Sequence, residues 1–347
     1  MKKQTHLTAL TGLKGIGILF IVLYHTLDQQ AFGLESITGL IKAYGGYFGN
    51  YLFFMLSGFL LAYNYQERIH SHAVVFPDFL HSRLIRLYPL YLITNVVMLG
   101  IHLMDSQRSF LNLEQIVLNL TMQGTGGFST AIQYNYPTWF VCALLVCYLL
   151  YYLLTYTSRS RTQHLIVLVA GMLAGCWLEK SDLLFPYLYR VNGEAYFNFF
   201  AGCLLCELIM HKPHAHRTRR IIAALLVRAI VAALNLLMDL YVVAGDGSFV
   251  FTVLVCPSLI YLALECWPVR WLVSLKPVEL LGKISASIFF WHVIVENRFN
   301  FAWFSRFSQN YHIYYALYLL LLLALSTLSY FLFEKKLTAF LKNRHSV

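Results

Sequence analysis

The chain has 347 residues, of which 59% are hydrophobic and 12% are charged, and its formal net charge is +10. A soluble globular domain carries about twice that charged fraction, so the composition excludes an ordinary soluble protein and indicates a membrane protein. The excess of positive charge does not indicate a nucleic-acid partner. Its basic residues lie in short clusters between apolar segments, without the basic stripe that nucleic-acid binding requires.

The cysteines also restrict the class of protein. All seven lie in or at the edges of apolar segments, and the C-x-x-C formed by Cys203 and Cys206 has neither a second pair nor a His cluster near it. The sequence therefore predicts no disulfide framework and no metal site, and we interpret the cysteines as small packing residues.

Ten segments have the length and the apolar character that a membrane-spanning helix requires. They are 9–28, 45–66, 84–104, 137–156, 163–179, 195–211, 220–239, 248–266, 280–297 and 313–333. We expect an all-α polytopic membrane protein with about ten transmembrane helices. It should form one membrane-embedded domain over residues 1–347, with no appended soluble domain. An amphipathic segment at 111–122 predicts a half-embedded helix between the third and fourth spans.

The distribution of basic residues predicts the orientation. If the N-terminus is cytoplasmic, the loops and span ends on the inner side hold nineteen of the 26 Lys and Arg residues and those on the outer side hold six, with Arg228 inside a span. Such an excess of positive charge is typical of cytoplasmic loops. Both termini are therefore predicted to be cytoplasmic.

The first span contains a lysine and a histidine, Lys14 and His25. Eleven positions return a helix to nearly the same face, about 16 Å further along its axis. Ionisable groups inside a bilayer are costly and usually face a cavity or a partner. Lys14 could also extend to the membrane surface, and His25 could hydrogen-bond to a neighbouring helix, but we favour a catalytic role for His25.

The second span, the loop after it and the start of the third span add three candidates. Ser57 and Gly58 are small enough to allow close helix packing, and the Ser57 hydroxyl could also face a cavity beside His25. Arg83 and Arg86 are three positions apart and share a helical face, where two guanidinium groups could clamp phosphate. They could equally be ordinary cytoplasmic charges, and the two interpretations are compatible.

A His base often requires an acidic residue to orient it, and the sequence offers two. Asp28 lies one turn beyond His25, where it could simply belong to the loop, and Glu296 lies one turn beyond His292 in the ninth span. Glu296 could instead pair with Arg298.

These motifs, in this order, resemble those of acyltransferase family 3, the integral-membrane O-acyltransferases that modify extracytoplasmic glycans. The matching elements are a basic residue followed eleven positions later by His (Lys14 and His25), FFxxSGF (Phe53 to Phe59), R-x-x-R (Arg83 and Arg86) with Tyr88-Pro89 after it, and a late segment with Ser, aromatic residues and His (Ser287 to His292). Two positions depart from the family pattern. Lys14 replaces the commoner Arg, and Leu144 stands where many members have a Glu five residues after a Trp.

The resemblance implies transfer of an acyl group, with acetyl as the default, from cytoplasmic acyl-coenzyme A to a hydroxyl of an extracytoplasmic or lipid-linked carbohydrate. It implies no tightly bound cofactor, and a location among the lipids of the bacterial cytoplasmic membrane. Together with the acidic residue considered above, this makes His25, Ser57 and Glu296 the candidate catalytic residues. Lys14, Arg83 and Arg86 would bind the coenzyme.

A second interpretation is a proton-coupled secondary transporter in which His25, His292 and Glu296 form a proton relay. Transporters often contain two related halves with broken helices, and the sequence has no such internal symmetry. A non-catalytic scaffold would leave Lys14, His25 and the arginine pair without a role. We therefore favour the acyltransferase.

The predicted orientation can be tested by cysteine labelling from outside the cell. We expect an impermeant thiol reagent to reach cysteines introduced in 105–136 and 180–194, because these segments are predicted to be extracytoplasmic. It should not reach cysteines introduced in 68–82 or 212–219. Labelling of the second pair from outside would overturn the orientation.

Overall fold

The computed structural model describes residues 2–27, 35–105, 112–124, 126, 133–210, 217–238, 248–337 and 339. The described residues form helices and contain no β-strand, which confirms the predicted all-α class. The helices are α1 (Lys2–Thr26), α2 (Glu35–His70), α3 (Phe76–Met104), α4 (Leu113–Leu120), α5 (Trp139–Thr157), α6 (Arg161–Lys180), α7 (Arg190–Met210), α8 (Arg217–Met238), α9 (Ser248–Glu265), α10 (Trp267–Val273), α11 (Lys276–Lys283), α12 (Ser285–Arg298), α13 (Phe301–Phe304) and α14 (Tyr311–Ser329).

All ten predicted spans correspond to helices, but fewer than ten meet the length and hydropathy expected of a membrane span. Within the described residues, eight helices do so, and a ninth span results if α11 and α12, which meet at a bend of 70°, are counted together. The exception is α8, the seventh predicted span. It begins with Arg217, Arg219 and Arg220 and contains Arg228.

Helix α2 lies at the centre of the bundle, between α1 and α7, and α6 packs against the other side of α7. At the crossing of α2 and α7, Gly58 lies against the backbone carbonyl of Phe199, and Gly202 lies against that of Met55. A Cβ atom at either glycine would overlap the facing carbonyl oxygen. Small residues allow membrane helices to approach closely in this way, which confirms the predicted packing role of Gly58.

The amphipathic segment forms α4, whose end lies deep against α3. The Tyr88 hydroxyl donates a hydrogen bond to the carbonyl of Leu120 at 2.9 Å, and the Tyr91 hydroxyl donates one to that of Asn119 at 2.7 Å. Tyr91 lies about 20 Å back along α3 from the end of that helix at Met104. The chain therefore returns from the end of α3 towards the middle of the bundle before α5 begins.

The close approach of α2 and α7 predicts an effect on stability. Gly58→Ala should lower the free energy of unfolding by about 1–3 kcal/mol, because the added methyl group forces the two backbones apart. The measurement is thermal unfolding of the detergent-solubilised protein. Gly100→Ala in α3 is the matched control, since a Cβ at Gly100 has no atom within 4 Å. It should leave the stability unchanged or raise it, because Ala is a better helix former. Equal stability of the two variants would contradict this account of the crossing.

Candidate active site

Two cavities open at opposite ends of the bundle. The first, here the basic cavity, has a volume of about 730 Å³ and lies at the N-terminal ends of α1 and α3 and the C-terminal end of α2. The second, here the aromatic cavity, has a volume of about 590 Å³ and lies at the C-terminal end of α1 and the N-terminal ends of α5 and α7.

Four cationic side chains from three helices line the basic cavity: Lys14, Arg68, Arg83 and Arg86. The guanidinium of Arg83 lies 4.5 Å from the ring centroid of Tyr65 and 5.7 Å from that of Tyr148. Its Nε donates a hydrogen bond to the Ser82 hydroxyl at 3.2 Å. Contacts between the guanidinium and ring faces restrict its motion, so Arg83 is held in place before any ligand arrives.

Away from these cations, the lining of the basic cavity is mainly apolar. Its lining includes Phe53, Leu144 and Phe289, with the hydroxyl groups of Ser57 and Ser285 beside them. The cavity therefore combines a cationic mouth with a mainly apolar interior. This arrangement suits a ligand that has an anionic head and a long, weakly polar arm.

The aromatic cavity has a different lining. His25 lies beside Tyr24, Tyr136 and Trp139, and the polar side chains include Asn50 and Gln133 together with Arg190 and Glu194. Burial raises the pKa of Tyr189, which also lines the cavity, to about 12, so its phenol stays protonated as a hydrogen-bond donor. Aromatic faces with amide and charged groups between them suit a polyhydroxylated ligand.

Asn135 holds one wall of the aromatic cavity in place. Its side-chain Nδ2 donates a hydrogen bond to the carbonyl of Phe290 in α12 at 2.9 Å, and its backbone N–H donates one to Asn95 Oδ1 at 3.2 Å. Tyr136, the next residue, lies edge-on to His25 with a ring-centroid separation of 6.4 Å. The segment that precedes α5 is thereby fixed above the imidazole.

A cluster of phenylalanine rings separates the two cavities. Phe140 packs against Phe54 at a centroid distance of 4.0 Å, against Phe289 at 5.4 Å and against Phe53 at 6.2 Å. Phe140 lines the basic cavity, whereas its neighbour Trp139 lines the aromatic cavity. We call these four phenylalanines the ring partition.

The structure brings some of the predicted site residues together and separates others. Lys14, Ser57, Arg83 and Arg86 share the basic cavity. His25 lines the aromatic cavity and Ser57 does not, so the expectation that Ser57 lies in a cavity beside His25 is wrong. The rise of α1 between Lys14 and His25 carries the two side chains to opposite sides of the ring partition.

Glu296 lies away from both cavities. It is half-buried in α12, one turn after His292, and its charged neighbour is Lys42. Arg298 pairs with Asp105 at 3.0 Å rather than with Glu296. Asp28, the other acidic residue considered, lies outside the described residues.

Sequence reasoning missed several residues that the structure places in or beside these cavities. In the sequence, Arg68 is one of the basic residues predicted to be cytoplasmic. In the structure it lines the basic cavity together with Asn64 and Tyr65, near the end of the same helix. His292 was recognised as part of a motif without a catalytic role, yet its ring lies 5.1 Å from that of His25. Tyr136 and Asn135 belong to an irregular segment in which no periodicity identifies the inward-facing side chains.

The comparisons with known proteins agree with the motifs in the sequence. A family model described as an acyltransferase domain, that of acyltransferase family 3, matches residues 7–333. A curated bacterial protein, protein 2 in the picA locus of Rhizobium radiobacter, is 36% identical over 89 residues. That alignment covers 26% of this chain and 42% of the relative, so the chain spans less than half of the relative's length. No solved structure matches the chain. The match over nearly the whole chain establishes that this protein belongs to acyltransferase family 3.

Proposed function

We propose that this membrane acyltransferase transfers an acyl group, acetyl by default, from acyl-coenzyme A in the basic cavity to a carbohydrate hydroxyl in the aromatic cavity. The observation that carries the proposal is the pair of chemically different cavities at opposite ends of the bundle, one lined by Trp139 and the other by the adjacent residue, Phe140. An enzyme whose donor and acceptor lie on opposite sides of a membrane needs this arrangement.

The basic cavity supports coenzyme A as the donor. Guanidinium groups bind phosphates through charge-assisted hydrogen bonds, and Arg68, Arg83 and Arg86 supply three of them at the mouth. The apolar interior then accommodates the pantetheine arm and directs the thioester towards Phe140 and Phe289. Lys14 and Ser57 line the path between mouth and partition.

The aromatic cavity supports a carbohydrate acceptor. Sugar rings present apolar C–H faces that pack against aromatic side chains, and their hydroxyls pair with amide and charged groups. Trp139, Tyr136 and Tyr47 supply the first kind of contact, and Asn50 and Gln133 supply the second. Under the predicted orientation this cavity faces away from the cytoplasm, which fits an extracytoplasmic or lipid-linked glycan in a bacterial cytoplasmic membrane.

The chemistry assigned to His25 is general base catalysis. Its neutral imidazole takes the proton of the acceptor hydroxyl while the oxygen bonds to the thioester carbonyl carbon. The carbon–sulfur bond then breaks, and the imidazolium returns the proton to the departing coenzyme A thiolate. A transient acyl group on His25 would use the same geometry in two steps.

His25→Ala is the direct test of this mechanism. General base catalysis contributes about 10²- to 10⁴-fold, so transfer of labelled acetyl from acetyl-coenzyme A to the membrane glycan fraction should fall at least about 100-fold. Acetyl-coenzyme A binding should be unchanged. His102→Ala is the matched control, because His102 has a half-buried ring that bonds the Tyr134 carbonyl at 3.1 Å and lines neither cavity. A well-folded His25→Ala protein with most of its turnover would refute the mechanism.

The arginines predict a separate effect on donor binding. Loss of one charge-assisted phosphate contact costs about 1.5–3 kcal/mol, so Arg83→Ala or Arg86→Ala should weaken coenzyme A binding about 10- to 150-fold in calorimetry on detergent-solubilised protein. Lys at either position should rescue binding only in part, because an ammonium lacks the planar fork.

Arg159→Ala is the control for the arginine variants. Arg159 is an exposed basic residue in another loop predicted to be cytoplasmic, and it does not line the basic cavity. Its removal takes away the same charge without touching the proposed phosphate site, and binding should be retained. If the Arg83→Ala/Arg86→Ala double variant binds coenzyme A with unchanged affinity, the two arginines do not form a phosphate site and contribute only to membrane orientation.

A further inference from the structure

His292 is a buried imidazole with a vacant nitrogen. The residue has 0% of its surface exposed, and its Nδ1 lies 2.7 Å from the backbone carbonyl oxygen of Phe289. Because a carbonyl oxygen only accepts hydrogen bonds, Nδ1 carries the proton, and Nε2 of the neutral ring is then an acceptor. Within the described part of the chain, this Nε2 has no hydrogen-bond partner.

A buried acceptor without a partner is unfavourable, and such groups in native proteins are few. The neighbours of His292 on its own side offer no donor to Nε2. The Tyr318 hydroxyl is engaged with the backbone carbonyl of His292 at 3.2 Å, and the nearby Phe289 ring is apolar. A hydrogen-bond donor for Nε2 must therefore come from another helix.

His25 is that group. The His25 and His292 rings have centroids 5.1 Å apart and planes inclined at 47°, with α1 on one side and α12 on the other. At this separation a rotation of the His25 side chain brings a ring N–H of His25 within hydrogen-bond distance of Nε2 of His292. The other ring nitrogen of His25 then remains for the aromatic cavity, which His25 lines.

We propose that His292 is the positioning residue for His25, and that its Nε2 accepts a hydrogen bond from the His25 ring and thereby selects the reactive tautomer. This inference rests on the proposed function. In the Ser-His-Asp arrangement a carboxylate performs this task, by orienting the imidazole and stabilising the imidazolium that forms. Here a neutral acceptor, itself fixed by the Phe289 carbonyl, takes the place of the acidic residue that the sequence suggested.

A neutral partner suits this depth in the membrane. An isolated carboxylate carries a large desolvation penalty away from water, whereas a neutral imidazole does not. The hydrogen bond also leaves the proton balance of the reaction unchanged, because His292 keeps its Nδ1 proton throughout. Only His25 takes up the acceptor proton and returns it to the thiolate.

Two substitutions separate positioning from packing. His292→Gln keeps a side-chain carbonyl oxygen that can accept a hydrogen bond near the position of Nε2, whereas His292→Leu fills a similar volume without an acceptor. We expect His292→Leu to lower kcat for acetyl transfer about 100-fold, with the KM and Kd for acetyl-coenzyme A within about twofold of the original protein. His292→Gln should retain kcat within about tenfold.

His164 provides the matched control. It is buried to a similar degree, and its Nε2 bonds the Thr155 hydroxyl at 3.2 Å, but it lines neither cavity of the candidate site. His164→Leu should therefore leave kcat unchanged. In the double variant His25→Ala/His292→Leu, the second substitution should add no further loss, because both act on one step.

The outcomes separate this inference from the proposed function. If His25→Ala abolishes transfer while His292→Leu remains active, His292 does not position His25 and only this inference fails. If folded His292→Gln and His292→Leu lose activity equally, the acceptor is irrelevant and the inference also fails. If His25→Ala remains active, the general-base mechanism fails, and the inference fails with it because it rests on that mechanism. Should His292→Leu not fold, a folded His292→Gln protein whose kcat falls by much more than tenfold overturns the inference.

Discussion

The packing of Phe140 against Phe53, Phe54 and Phe289 closes the middle of the bundle, and the arrangement of both cavities follows from that closure. A continuous aqueous path between the cavities would allow ions to leak and, in the proposed reaction, would allow water to attack the thioester. The packed phenylalanine rings are apolar and exclude water. In the proposed reaction the reacting atoms meet at this partition, because Phe140 borders the basic cavity and its neighbour Trp139 lines the aromatic cavity together with His25.

The electrostatics of the bundle follow the same division. Cationic groups gather where an anionic ligand would enter, and Arg83 is held there by Tyr65 and Tyr148 rather than by a carboxylate partner. A carboxylate would compete with phosphate for the guanidinium, whereas ring faces orient it and leave its N–H donors available. An acidic group in this region, Glu334, accepts a hydrogen bond from Ser287 and interacts electrostatically with Arg86.

Most of the fold followed from apolar run length, because the hydrocarbon core imposes helices of a minimum length. The bend between α11 and α12 did not follow, since the helix is interrupted at Ile284, which is neither Pro nor Gly. For the site, the eleven-residue spacing correctly predicted that Lys14 and His25 face the interior. It could not show that 16 Å of rise would place them in different cavities, nor that Ser57 belongs with Lys14. The proximity of His25 and His292 depends on how two helices far apart in sequence pack, and no local pattern contains that information.

The break at Ile284 has an electrical consequence. A helix that crossed this region without interruption would have all its backbone N–H groups bonded within it, but α12 begins anew at Ser285, and Ser285 and Ala286 line the basic cavity. The first N–H groups of a helix have no partner within the helix and together act as about half a positive charge. The polypeptide backbone thus adds its own positive potential near the inner end of the cavity, where a side-chain cation would be far more costly to bury.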